Sequence, residues 1–137
     1  MTMDQPNDEV SQYLKDHSVC VFATGRKDGS PQLSLIGYQF DGKEILLRGG
    51  TDSAKMKNIR RNTKNVAIAI VDGRKELIVY GSALLVSDPA EIEKLQARFG
   101  TRAAPPRAEG APAAPARPPG VSVLVTPKRY LAGRMNG

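Results

Sequence analysis

Short apolar runs joined by very tight turn signals leave this chain little choice but an antiparallel sheet. Asp41-Gly42 separates the run Gln32 to Phe40 from Glu44 to Arg48, and Asp72-Gly73 separates Val66 to Val71 from Glu76 to Val86. Asp-Gly tolerates the positive φ angles of a two-residue hairpin. Lys27-Asp28-Gly29-Ser30 is a further turn signal after the run Val19 to Gly25. Parallel strands need a crossover of about a dozen residues or more, which these connections cannot supply. A last alternating run, Val121 to Thr126, completes six strands. The expected fold is mainly β: a six-stranded, mostly antiparallel barrel with a few short helices, rather than a doubly wound sheet.

The helices are also legible. Val10, Tyr13, Leu14 and His17 share one face of a segment from Asn7 to His17. A basic helix is expected over Asp52 to Asn62, with Thr51 or Asp52 as its N-cap. Asp88, Pro89 and Glu91 mark the start of a third helix; Ile92, Leu95 and Phe99 form its apolar face, and Gly100 stops it. In the second strand Leu33 and Leu35 have one parity while Ile36, Tyr38 and Phe40 have the other. That change of phase predicts a β-bulge beside Gly37. Gly81 reads as a bend. Thr101 to Gly120 holds seven Ala and six Pro and reads as a flexible loop inside a single domain spanning residues 1–137. Tyr130 to Gly137 reads as a tail.

Composition removes several function classes. One cysteine, Cys20, and one histidine, His17, allow neither an internal disulfide nor a cysteine-cluster metal site, so no metal is expected. No apolar run approaches the roughly 20 residues of a membrane span. A cytoplasmic protein with no membrane partner is therefore expected. The net charge of +6 suits an anionic partner, but aromatics are only 5 % and no strand interleaves them with basic residues. Nucleic acid is thus not the expected partner. No Ser-His-Asp, paired-carboxylate or Cys-His constellation can be assembled, so no catalytic side chain is named. Cys20, Tyr38 and Tyr130 read as core residues, and His17 as a helix-end residue.

The charge is concentrated where Gly49-Gly50-Thr51-Asp52-Ser53-Ala54-Lys55 leads from a strand into the basic helix. Unpaired N–H groups and a partial positive charge make a helix N-terminus a natural phosphate site. Ser53 adds a hydroxyl, Lys55 a cation in the first turn, and Gly49 and Gly50 permit close backbone approach. Arg60 and Arg61, two turns on, could meet a longer anionic tail. A solvated amphipathic helix with Met56 and Ile59 inward would show the same local pattern.

The run from Val21 to Ser34 resembles the first hairpin of the pyridoxamine 5′-phosphate oxidase-like superfamily. The likeness continues through Tyr38-Gln39-Phe40-Asp41-Gly42, through Ser53 to Asn62, through Val66 to Val71 and through Gly81-Ser82-Ala83. Within that superfamily the chain looks most like the actinobacterial branch that uses the deazaflavin coenzyme F420. The resemblance implies a split β-barrel of the FMN-binding type, a homodimer with the cofactor at its interface, and an oxidoreductase. Lys55 matches the phosphate-binding lysine, Ser53 its neighbour, and Asn58 a position in the same helix. Leu47 to Gly50, including Arg48, match the strand end beside the ring system. Gln32 and Ser34 match a strand that faces the rings. Flavin-using members often carry an arginine where this chain has Ala54, which favours F420 over FMN. The implied reaction is hydride transfer to a small conjugated or heterocyclic acceptor. An FMN-dependent enzyme, or a protein that holds such a cofactor without turnover, is the alternative.

Overall fold

The structure is a computed structural model that describes residues 2–50, 53–62, 64–100 and 120–133. Its elements in chain order are β1 (Thr2–Met3), α1 (Asp8–Asp16), β2 (Val19–Gly25), β3 (Pro31–Phe40), β4 (Ile45–Gly50), α2 (Ala54–Arg61), β5 (Val66–Asp72), β6 (Lys75–Val86), α3 (Pro89–Phe99) and β7 (Gly120–Ala132). Every pairing is antiparallel. The sheet runs β1-β7-β4-β3-β2-β5-β6, and a β6–β7 pairing closes β2 to β7 into a six-stranded barrel. The expected barrel is therefore present, with β1 as a two-residue addition along β7.

The turns behave as their chemistry dictates. Gly42 and Gly73 take positive φ, at 100° and 61°. Asp41 Oδ1 accepts from the backbone N–H groups of Lys43 and Glu44 at 2.9 and 2.7 Å, which seals the β3–β4 hairpin. Both flanking helices start on side-chain caps: Asn7 accepts from Val10 N–H, and Asp88 from Glu91 N–H. His17 closes α1, its Nδ1 lying 2.7 Å from the carbonyl of Tyr13 and its Nε2 3.0 Å from Asp72.

Alternation sorts residues between the barrel interior and the outside. Phe22, Tyr38, Leu47, Ile68, Val79 and Val123 are among the buried core residues. Tyr38 donates to the carbonyl of Leu14 at 2.7 Å, which ties α1 to β3. Cys20 belongs to the same core, and burial pushes its thiol up to about 12, so it remains protonated.

Three expectations are corrected. β3 has no bulge at Leu35/Ile36, because β2 and β3 pair without a register shift from Val19↔Gly37 to Gly25↔Pro31. The two parities are the two faces of one regular strand, with Ile36, Tyr38 and Phe40 toward the barrel and Leu33 and Leu35 outside, 61 % and 77 % exposed. The sheet's register shift instead falls at Tyr80/Gly81, where β6 meets β7. The N-cap of α2 is Ser53, not Thr51 or Asp52. Tyr130 is not in a tail: β7 runs on to Ala132, and Tyr130 is a buried core residue. The expected loop falls outside the described residues from 101 to 119, and Gly120 already belongs to β7.

Candidate anion site at the start of helix α2

α2 is held by volume. Met56 and Ile59 are wholly buried, and Asn58 is 5 % exposed. The amide of Asn58 donates to Thr24 Oγ1 at 3.1 Å, and its oxygen accepts from Arg61 at 2.6 Å. Asn58 thus fastens the helix to the end of β2 and steers Arg61. Gly49 makes the close packing of β4 and α2 possible, since a Cβ there would stand 2.6 Å from the Met56 methyl and 3.2 Å from Lys55 Cε. The Lys55 side chain consequently lies along the end of β4, beside the N-terminus of its own helix.

That end of β4 carries the most unusual chemistry in the molecule. Arg48 Nε and Nη2 and Ser53 Oγ are buried and have no hydrogen-bond partner among the described residues. Ser53 takes the N-cap position with extended backbone, but its side chain makes no cap bond. Its carbonyl accepts the N–H groups of Met56 and Lys57 at 3.1 and 3.2 Å. Strand end and helix start therefore present donors without acceptors, with Lys55 adjacent. Buried donors are ordinarily satisfied, so such a group calls for an acceptor from outside the described residues. No group of three His, Cys, Asp or Glu side chains among the described residues could hold a metal ion.

The other residues expected at the site are more scattered. Arg60 and Arg61 form the exposed last turn of α2. Gln32 and Ser34 share the barrel-facing parity of β3, opposite Thr24 and Phe22. The side-chain amide oxygen of Gln32 accepts from Arg26 at 2.8 and 3.2 Å, which occupies it within the first hairpin. Gly50 ends β4 against Gly120. Sequence reasoning missed the outer face of β2, β3 and β5. Val19, Leu35 and Val71 are exposed there, and with Val21 and Ala69 they line a cavity of about 490 Å³. The signal was present as apolar residues at both parities of β3, which marks a strand buried on both sides.

Comparisons with known proteins point to one family. A family model described as pyridoxamine 5′-phosphate oxidase matches residues 6–132. The F420H(2)-dependent biliverdin reductase of Mycobacterium tuberculosis (strain CDC 1551 / Oshkosh) is 26 % identical over 107 residues, which are 77 % of this chain and 78 % of that protein. A solved structure described as an F420 reductase superposes with a TM-score of 0.65 at 26 % identity, covering 92 % of this chain and 98 % of that one. A putative pyridoxamine 5′-phosphate oxidase from Lactobacillus delbrueckii shares the fold at a TM-score of 0.69 and 19 % identity, over 95 % of this chain and 96 % of that one.

Proposed function

The chain belongs to the pyridoxamine 5′-phosphate oxidase family, and from that premise we propose that it is a reductase that holds coenzyme F420 at the start of α2. The observation that carries this reading is the set of buried donors without partners among the described residues, Arg48 Nε and Nη2 and Ser53 Oγ. Each unpaired buried donor costs about 1–3 kcal/mol. Donors gathered where a helix dipole already favours negative charge are offset by a phosphate. Lys55 supplies a compact cation beside them, and Gly49 and Gly50 let a ring system approach the backbone. Arg60 and Arg61 carry charge to the far end of α2, where a longer acidic tail meets it. Asn58 acts by orienting Arg61, and Gln32 and Ser34 are assigned no contact.

Two relatives whose names carry F420, each 26 % identical to this chain, support a deazaflavin. So does Ala54, at the position where FMN-using members often carry an arginine. The reduced coenzyme supplies a hydride for a small conjugated or heterocyclic acceptor. The chain's own residues anchor the phosphate, fix the ring plane and keep water away. Absorbance and mass spectra of whatever co-purifies from the native host separate F420 from FMN. Titration with reduced F420, followed by fluorescence, is expected to give an affinity at least about tenfold weaker in Lys55→Ala. Equal affinity in the two proteins would remove the assignment.

The exposed apolar patch of Val19, Val21, Leu35, Ala69 and Val71, at one end of the outer face of β2, β3 and β5, is assigned to a second copy of the chain. Soluble monomers rarely leave contiguous apolar patches of more than a few hundred Å² uncovered. Sedimentation should give a dimer that Leu35→Glu converts to monomer; an unchanged mass in the variant would put the partner elsewhere.

A further inference from the structure

A second cavity, of about 420 Å³, opens where β2 ends, β5 begins and β7 crosses β6. Small-molecule sites typically occupy about 300–1,000 Å³. Ala23, Gly25 and Ala67 form a nearly bare sheet surface on one side, and Tyr80, Lys64 and Lys128 stand around it. No Asp or Glu among the described residues lines it. This cavity lies beyond the C-terminal end of α2, away from the donors gathered at the start of that helix.

Lys128 reaches the cavity through an irregularity in the sheet. Tyr80 pairs with Arg129 while Gly81 pairs with Pro127, so Lys128 opposes no residue of β6. Such a bulge re-aims the side chain of the extra residue. Gly81 permits it, because a Cβ at that position would run into the carbonyl oxygen of Thr126. Arg129 holds the Tyr80 ring, its guanidinium carbon 5.2 Å from the ring centroid. The side chains of Lys64 and Lys128 form no ion pair among the described residues. Two uncompensated ammonium groups, a braced phenol ring and an open floor of small side chains suit one class of ligand. We infer that this cavity is a binding site for a planar aromatic or conjugated carboxylate, with Lys64 and Lys128 on the carboxylate and Tyr80 beside the ring. The assignment is independent of the coenzyme reading.

The probe is naphthalene-2-carboxylate, titrated into the full-length protein at low salt and followed by NMR of the alanine methyl groups. Saturable shifts are expected at Ala23 and Ala67. The neutral isostere naphthalene-2-carboxamide, and the double variant Lys64→Gln/Lys128→Gln, should each bind at least about tenfold more weakly. A Cβ at Gly25 meets nothing within 4 Å and the residue has no positive φ, so Gly25→Val grows into the cavity without backbone strain and should abolish binding. An undisturbed alanine-methyl spectrum shows that each variant has folded. Equal affinity for acid and amide, undiminished binding in Gly25→Val, or no saturable shifts would overturn the site. Affinity that falls as protein concentration rises would also overturn it, by giving the cavity to a second copy. Parallel titration with reduced F420 separates the two readings, since loss of one binding event leaves the other measurable.

Discussion

α2 and α3 are both short amphipathic helices entered from a strand, and they are held in opposite ways. α2 has eight residues and buries Met56, Asn58 and Ile59. α3 has eleven and buries none. What holds α3 is polar: Arg98 bridges Asp41 and Glu44, Thr126 donates to Glu44, and Gln39 donates to the carbonyls of Phe99 and Gly100. A helix fixed by close packing keeps its position when charge changes; a helix fixed by surface ion pairs does not. The candidate anion site lies on the helix held by packing, where donors stay aligned without a ligand to organise them.

The sharpest way to break this contrast is to truncate one inward-facing apolar residue in each helix. Ile59→Ala should lose about 2–4 kcal/mol of unfolding free energy in urea, by transfer and cavity terms together. Leu95→Ala, at a half-buried position, should lose about 1 kcal/mol or less. Comparable losses would mean that α3 is as much a part of the core as α2.

A second test separates function from stability on α2's side. Arg48→Met removes donors that are buried without partners among the described residues, so the unliganded fold should be unchanged or stabilised by up to about 1–3 kcal/mol. Affinity for reduced F420 should nevertheless fall at least about tenfold. A destabilised unliganded protein with unaltered affinity would make Arg48 structural.

Arg98→Ala should cost about 1 kcal/mol or less, because exposed ion pairs contribute little. Its larger effect should be local, as faster amide exchange confined to α3. Protection unchanged across α3 would show that its apolar face suffices to hold it.

The smallest effect concerns pH. Burial raises the carboxyl of Asp41, but backbone N–H groups of Glu44 and Lys43 and the Arg98 guanidinium outweigh it and hold the group below its ordinary 3.8. A depressed carboxylate contributes stability above its unfolded value and loses it as pH falls through the folded one. Exchange protection in α3 should therefore drop below about pH 4 while α2 keeps its own. Simultaneous loss in both helices would erase the distinction between them.

Much of this was readable from local chemistry. Asp-Gly turns, the cap of α3 and the basic start of α2 each depend on a few adjacent residues, so the sequence states them directly. The phase of β3 was not readable that way. Leu33 and Leu35 look like a register slip only if one face of the strand is assumed to be wet. β7 was expected to end at Thr126, whereas a bulge carries the strand past Pro127, Lys128 and Arg129 to the buried Tyr130. Burial of the Arg48 and Ser53 donors without partners among the described residues depends on how β4 meets α2, and no spacing rule reports it. Lys55 stood out in the sequence because it sits in the first turn of a helix; Arg48 did not, being one basic residue at a strand end.

β7 pairs with β1, β4 and β6. Ile45 meets Val125 across a gap of about 80 residues. Until β7 emerges from the ribosome, β4 and β6 are raw edges, and such edges invite pairing between chains. Distant pairings of this kind also form slowly, since loop closure precedes any gain from contact. The nascent chain is thus most prone to aggregate in the interval between synthesis of β6 and docking of β7. Shortening the connection between α3 and β7 would narrow that interval, and lengthening it would widen it.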